Sequence, residues 1–208
     1  MVRKTKEEAL QTYHALLDAA EREFRARGVK DTTLAHVAAA AGVTRGAVYW
    51  HFKDKEALFA ALRERAFAPN EALLQQMEAS AQTDPLASLQ TLLEQVLILV
   101  ARDPRQRVMF EILFHRCEKN QDLLFFGDDR EKRRECMSQL QLRFNAAIAR
   151  GDLPQNANSH VLMHAMHAYL IGLIHEWLVE PEAYDLAQQA PALAAMFMAG
   201  VRARPVTG

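Results

Sequence analysis

The chain has 208 residues, of which 50% are apolar and 25% are charged, and its formal net charge is −1. This is the composition of an ordinary globular protein and argues against a disordered or fibrous chain. The apolar stretches fall far short of the roughly 20 residues that cross a bilayer. No apolar secretion segment follows Arg3, and two cysteines are too few for a disulfide framework. We therefore expect a cytoplasmic protein.

Apolar residues at helical spacing, together with well-placed capping residues, predict an all-α fold of about nine helices. Thr33, Thr44 and Asp54 are good N-caps, and Gly28 and Gly42 stand where a left-handed residue ends a helix. The first predicted helix ends at Gly28, the second and third are short helices at 34–41 and 45–50, and the fourth lies at 55–77. The fifth and sixth start at Asp84–Pro85 and Asp103–Pro104, where a proline follows the N-cap. The seventh ends at Gly151, and the last two lie at 158–179 and 185–203.

The fourth predicted helix joins two parts of the chain. No glycine- and serine-rich linker and no low-complexity stretch separates them, so we expect residues 1–55 and 56–208 to form two domains with this helix in common. Proline lacks the N–H that a helix interior uses, so Pro69 should kink or break the helix.

Residues 33–52 have the pattern of a helix-turn-helix. Four alanines at 38–41 let a second helix cross closely, Gly42 permits a tight turn, and Val43 fills the space between the helices. Residues 1–65 also hold 12 Lys and Arg against 9 Asp and Glu, whereas the rest of the chain is net acidic. A cationic first third is typical of a part that contacts nucleic acid.

The second helix of this motif has the pattern of a recognition helix for the major groove of double-stranded DNA. Its spacing leaves Val48 and Phe52 to be buried and turns Thr44, Arg45 and Tyr49 outward. Arg45 can pair with O6 and N7 of guanine, and Thr44 with a base edge or a phosphate. We therefore expect residues 1–55 to be a DNA-binding domain.

A second interpretation treats the aromatic residues at 49–52 as a core cluster. It accounts for Phe52 and for Trp50, but not for the flanking cations Arg45, Lys53 and Lys55. The residues of this motif that we predict to contact DNA are Thr33, Thr44, Arg45, Gly46, Tyr49, Trp50, His51 and Lys55. Among them, Tyr49, His51 and Lys55 are assigned to the phosphate backbone.

Residues 44–55, Thr-Arg-Gly-Ala-Val-Tyr-Trp-His-Phe-Lys-Asp-Lys, resemble the signature of the TetR family of transcriptional repressors. Residues 3–62 resemble that family's DNA-binding domain. Residues 3–9, 111–118 and 172–178 resemble its multidrug-efflux subgroup, of the AcrR and TtgR type, so the likeness covers nearly the whole chain. The resemblance of residues 3–9 implies a basic arm that reaches adjacent grooves or phosphates, so Arg3, Lys4 and Lys6 are predicted DNA contacts as well.

The resemblance implies a repressor of a multidrug efflux pump operon. Such a protein has an N-terminal three-helix head and a helical C-terminal domain for ligand binding and dimerisation. It forms a homodimer through its last two helices, binds a near-palindromic operator, and is released when a hydrophobic or amphiphilic small molecule binds the C-terminal domain.

The resemblance also implies a largely apolar pocket in the C-terminal domain. Each residue that could line this pocket could equally belong to an ordinary helical core, because the apolar face of a helix packs against its neighbours whether or not it faces a cavity. The predicted wall residues are Leu93, Val96, Phe110, Phe114, Met137 and Phe144.

Four histidines, at 160, 164, 167 and 175, form one stripe with Ile171 on the eighth predicted helix. Three interpretations compete: solvated or interface side chains, polar ligand contacts, and a zinc site at His160 and His164. We include His167 and Ile171 among the ligand-binding residues and expect no metal.

An enzyme is not expected. The chain has no G-x-S-x-G, no glycine-rich phosphate loop, and no second histidine to complete H-E-x-x-H, since position 179 is Val. No cofactor is expected either. The remaining alternative is a TetR-type regulator, repressor or activator, of genes other than an efflux pump that responds to a different metabolite.

Overall fold

A computed structural model of the chain describes residues 6–76, 83–116 and 130–207, and the predicted all-α fold is confirmed. These residues form nine α-helices and one π-helix, with no β-strand among them. None of the described helices is long and apolar enough to cross a membrane. In chain order the elements are α1 (Lys6–Arg27), α2 (Leu34–Ala40), α3 (Arg45–His51), α4 (Lys55–Gln76), α5 (Pro85–Arg102), α6 (Pro104–Glu111), the π-helix (Ile112–Arg116), α7 (Arg130–Arg150), α8 (Ser159–Val179) and α9 (Leu186–Ala203).

Side-chain caps and left-handed glycines set the helix ends. At the start of α2, α3, α5, α8 and α9, a Thr, Asp or Asn oxygen accepts a hydrogen bond from the N–H of the third helical residue. Gly28, Gly42 and Gly151, with φ of 85°, 68° and 83°, follow the ends of α1, α2 and α7. These are the ends that the sequence predicted.

Pro69 lies inside α4, and the helix continues past it to Gln76. Of the two predicted effects of Pro69, a break in the helix is therefore wrong, while a kink stays a prediction. A proline removes one backbone hydrogen bond from a helix, but tertiary packing supplies most helical stability in proteins and can outweigh that loss. Phe67 and Asn70, on either side of the proline, are each only 5% exposed.

The described residues divide into two compact units, of which the first contains residues 6–67 and 108–116. Arg65 of α4 ties α4 to α1, since its guanidinium binds Asp18 at 2.6 Å and Glu21 at 3.2 Å. The core of this unit consists of buried apolar side chains, among them Leu16, Leu17, Phe24, Val37, Val48, Phe52, Leu58 and Leu62.

The second unit contains residues 68–76, 83–107 and 130–207. Its central helix is α5, which packs mainly against α9 and also contacts α7 and α8. The Tyr169 hydroxyl of α8 donates a hydrogen bond of 3.0 Å to the Leu193 carbonyl of α9. Burial, and then the charge of Tyr184, raises the pKa of Tyr169, so the phenol stays a neutral donor.

The boundary between the two units falls inside α4, after Phe67, and inside α6, after Arg107. α4 therefore contributes residues to both units, in agreement with the expectation of a shared helix. α6 does so as well, which the sequence did not suggest. The expected domain boundary at residue 55 stays a prediction.

Gly42→Ala should destabilise the chain, because an alanine is strained at a φ of 68° even where no atom lies within 4 Å of its Cβ. The expected loss is about 1 kcal/mol in the free energy of unfolding, measured by urea denaturation. Gly46→Ala is the matched control. The nearest atom to its Cβ is Thr44 Oγ1 at 3.9 Å, so stability should be unchanged or higher. Equal losses in the two variants would contradict this role for Gly42.

Candidate nucleic-acid interface

The turn between α2 and α3 is held by backbone hydrogen bonds around a left-handed glycine. The Gly42 N–H donates to the Ala39 carbonyl at 3.1 Å, and the Val43 N–H donates to the Ala38 carbonyl at 3.0 Å. This pattern ends α2 and turns the chain. Ala38 is 2% exposed, so α2 packs closely on its neighbours. The helix-turn-helix predicted at 33–52 is present in the structure.

Two exposed threonines cap the helices of this motif. Thr33 Oγ1 accepts a hydrogen bond of 3.2 Å from the His36 N–H, and the Thr33 N–H donates to His36 Nδ1 at 3.3 Å. Thr44 Oγ1 accepts one of 3.2 Å from the Ala47 N–H. In both caps the hydroxyl is the acceptor, so its proton can still be donated to a phosphate oxygen.

α3 has one buried and one exposed face. Val48 is fully buried, and Phe52, the residue that follows the helix, is 3% exposed. The division between inward and outward residues is the one that the sequence predicted, while the DNA contacts of the outward residues stay a prediction. The exposed residues on the outer face are Thr44, Arg45, Gly46 and Tyr49.

The aromatic residues around the end of α3 do not form one core. Trp50 is 72% exposed, so the interpretation that places it in a core cluster is wrong. His51 is half-buried, with its ring centroid 4.4 Å from that of Trp50 and 5.8 Å from that of Tyr13 in α1. Tyr13 also stacks on Phe52 at 5.2 Å. Sequence reasoning missed Tyr13, because no local spacing links α1 to α3.

Lys55 has a structural partner that the sequence did not suggest. Its ammonium donates hydrogen bonds to the carbonyls of Val29 at 2.7 Å and Lys30 at 2.9 Å, which joins the segment after α1 to the start of α4. Lys53 was not among the predicted contacts. Its side chain is 82% exposed, with the ammonium 3.7 Å from Asp54, so it adds a cation close to the end of α3.

The predicted basic arm is described only in part. Lys6, the first residue of α1, is exposed. Arg3 and Lys4 lie outside the described residues, as do Cys117 and Glu118 at the end of the second motif that resembles the efflux subgroup.

The predicted ligand-binding residues divide between the two units. Phe110 and Phe114 belong to the first unit, where their rings stack with centroids 5.7 Å apart. Burial does not distinguish the wall of a pocket from ordinary core, so the role of the whole set stays a prediction. In the second unit, Leu93, Val96, Met137 and Phe144 are buried, and His167 and Ile171 are half-buried.

The histidines of α8 lie mostly at the surface. His160, His164 and His175 are exposed, and His167 is half-buried. The rings of His160 and His164 have centroids 4.6 Å apart. Within the described residues, no group of three or more His, Cys, Asp or Glu side chains is placed to hold a metal ion. The zinc interpretation therefore finds no third ligand in that part of the chain.

A helix-turn-helix with an exposed recognition helix, carried by an all-α chain, defines a DNA-binding transcriptional regulator. Residues 16–62 match the family described as bacterial regulatory proteins, tetR family, and residues 84–202 match the C-terminal region of MAATS-type transcriptional repressors. The chain belongs to the TetR family.

Three relatives are similar over most of the chain, and all are transcriptional regulators. TtgR of Pseudomonas putida is 41% identical over 187 residues, which are 89% of each chain. NalD, the secondary repressor of the MexAB-OprM multidrug efflux pump in Pseudomonas aeruginosa, is 31% identical with a TM-score of 0.77, over 94% of this chain and 98% of NalD. SmeT is the repressor of the Stenotrophomonas maltophilia multidrug efflux pump SmeDEF. SmeT in its complex with triclosan is 30% identical in sequence to this chain, with a TM-score of 0.74 over 91% of each chain.

Arg45→Ala should weaken specific DNA binding and leave the fold intact, because Arg45 is exposed on α3. If its guanidinium pairs with guanine, operator affinity should fall by about 5- to 150-fold, measured by fluorescence anisotropy at fixed salt. Arg150→Ala, which removes an exposed cation from the second unit, is the control and should change affinity little. Unchanged operator affinity in Arg45→Ala would remove this residue from the interface.

Proposed function

We propose that the chain represses the operon of a multidrug efflux pump and that a largely apolar small molecule releases it from a near-palindromic operator. The observation that carries the proposal is the exposed face of α3, whose direction is fixed by the burial of Val48 and Phe52 beneath it. Support for the target comes from NalD and SmeT, which are repressors of such pumps.

The exposed face of α3 has the groups that read a base edge and grip a phosphate. The Arg45 guanidinium offers two parallel donors that match O6 and N7 of guanine. Thr44 donates its hydroxyl proton to a base edge or a phosphate. Gly46 has no side chain, so the backbone can approach the duplex closely. Tyr49 and Trp50 present exposed flat surfaces to the sugar-phosphate backbone, each with one polar hydrogen to donate.

Cations around this face supply the phosphate contacts. Lys53 lies just after α3, and Lys6 begins α1, which the predicted arm residues Arg3 and Lys4 precede. We assign Lys55 to positioning, since its ammonium already binds two backbone carbonyls. Thr33, just before α2, and His51, at the end of α3, are the remaining proposed DNA contacts. Because each neutralised phosphate releases counterions, operator affinity should fall steeply as salt rises.

The exposed faces of α8 and α9 support a homodimer. No described atom outside the helix lies within 4 Å of a Cβ added at Gly172 or Gly200, and the apolar side chains of Val179 and Met196 are 64% and 60% exposed. Small exposed residues let two helices pack closely, so a second copy of α8 and α9 fits against this surface as a four-helix bundle. The small exposed residues, at spacings of three and four, are Ala168, Gly172, Ala192, Ala195 and Ala199.

Coupling between the effector and DNA runs through α4 and α6, which have residues in both units. At the end of α6 that belongs to the first unit, Glu111 binds Arg25 of α1 at 2.9 Å, and the ring of Phe110 lies 5.2 Å from that of Phe67 in α4. An effector that prefers a conformation with wrongly spaced recognition helices weakens DNA binding, and DNA weakens effector binding by the same factor.

The direct test is a mobility-shift assay with the full-length protein. The DNA probes are the region upstream of its own gene and that of the nearest transporter operon, and triclosan is the first effector tried. We expect a salt-sensitive complex that triclosan dissociates, and a rise in Tm when triclosan binds the protein alone.

Random duplex of equal length is the control for this assay. A protein with no preference for either upstream region over random duplex would contradict the proposal. Specific binding upstream of genes unrelated to transport, with release by another metabolite, would favour the alternative regulator of non-efflux genes.

Ala195→Asp should break the dimer, because the new carboxylate would lie between two copies of α9 without a partner. We expect a monomer in analytical ultracentrifugation and an operator affinity lower by about tenfold or more, since the two half-sites are no longer bound by one linked particle. Ala149→Asp, at an exposed position of α7, is the matched control and should stay dimeric. A dimeric Ala195→Asp with normal operator binding would exclude this interface.

A further inference from the structure

Two side-chain amides in the second unit are buried without hydrogen bonds. Gln106 of α6 is 0% exposed, and Asn70 of α4 is 5% exposed. In the described part of the chain, no donor or acceptor lies within hydrogen-bonding distance of the oxygen or the nitrogen of either amide. Such groups lose their water on folding and gain nothing in return, so natural proteins contain few of them and each calls for an explanation.

Each amide lies about one turn along its helix from an aromatic residue that joins α4 to α6. Asn70 is three residues after Phe67, and Gln106 is four residues before Phe110; residues at these spacings share one face of a helix. The rings of Phe67 and Phe110 have centroids 5.2 Å apart. Each helix therefore carries one of these amides a single turn away from its own ring of the Phe67–Phe110 contact.

The chemistry of the amides limits what can satisfy them. A carboxamide has an acceptor oxygen and two N–H donors but no charge. It therefore suits a neutral group that both donates and accepts, such as a hydroxyl, a phenol or an amide, and it does not compensate a buried ion. Other amides of this chain are bound internally, as where Gln155 Nε2 donates to the Ile148 carbonyl at 2.9 Å.

We propose that Gln106 and Asn70 are the polar end of the effector site, where they hydrogen-bond a neutral hydroxyl, phenol or amide of an otherwise apolar effector. This rests on the proposed function, since it names the effector contacts of that same repressor. Sequence reasoning missed both residues, because Gln and Asn in an amphipathic helix are normally expected at the surface.

Two variants remove the polar atoms while nearly conserving side-chain volume: Gln106→Met and Asn70→Leu. Both should keep the operator affinity of the unliganded protein and keep or raise its Tm, because an apolar group replaces an amide without partners. The Kd for triclosan, measured by calorimetry, should rise about tenfold in each. Gln75→Met, at an exposed position of α4, is the matched control and should change neither quantity.

A second comparison uses the unmodified protein and so decides the question even if a variant fails to fold. Triclosan methyl ether lacks the phenolic proton, and the wild type should bind it about tenfold more weakly than triclosan. Equal binding of the two compounds by the wild type, or binding of neither, would overturn the proposal.

Lower Tm in both variants with unchanged triclosan affinity would also overturn it, since the amides would then stabilise the fold. Operator binding without effector is measured on the same proteins. If the wild type binds its operator while these tests fail, only the assignment of Gln106 and Asn70 to the effector site is wrong. If the wild type binds no operator, the proposed function itself is wrong.

Discussion

The orientation of the recognition helix depends on the burial of two side chains. A helix of seven residues has little stability of its own in water, so α3 is held by Val48 and Phe52 on its inner side and by the Thr44 cap at its start. Tyr13 stacks on Phe52 and ties α3 to α1. The outward residues, Arg45 above all, take their direction from this packing. The exposed face that we propose to meet DNA is thus a consequence of the core beneath it.

The charges of the first unit show why a net count is a poor guide to a DNA-binding surface. Arg65 is bound by carboxylates of α1, Arg27 by Glu23 of its own helix, and Lys55 by backbone carbonyls. Arg65 and Lys55 connect elements of the unit and Arg27 pairs within α1, whereas Arg45 and Lys53 are exposed at and just after α3. A chain with a net charge of −1 can therefore present a local cationic surface.

Features set by neighbouring residues were predictable from the sequence, and features set by distant residues were not. The Thr44 cap and the left-handed Gly42 depend on groups within a few positions, and so does the outward face of α3. The hydrogen bond from Lys55 to Val29 crosses 26 positions, and the contact of Tyr13 with α3 has no local signal either. The continuation of α4 past Pro69 has no local signal either, because packing on both sides of the proline outweighs its local penalty.

The proposed coupling between effector and DNA relies on the continuity of α4 and α6. Both helices pass from one compact unit to the other, and Asn70 and Gln106 lie within three residues of those two boundaries. A ligand bonded to both amides would fix the spacing of the two helices there. The contact between Phe67 and Phe110 lies one turn farther along the same helices, in the unit that carries the recognition helix. Helical hydrogen bonds make one turn move with the next, apart from the one that Pro69 removes from α4, so the proposed coupling needs no long chain of intermediate residues.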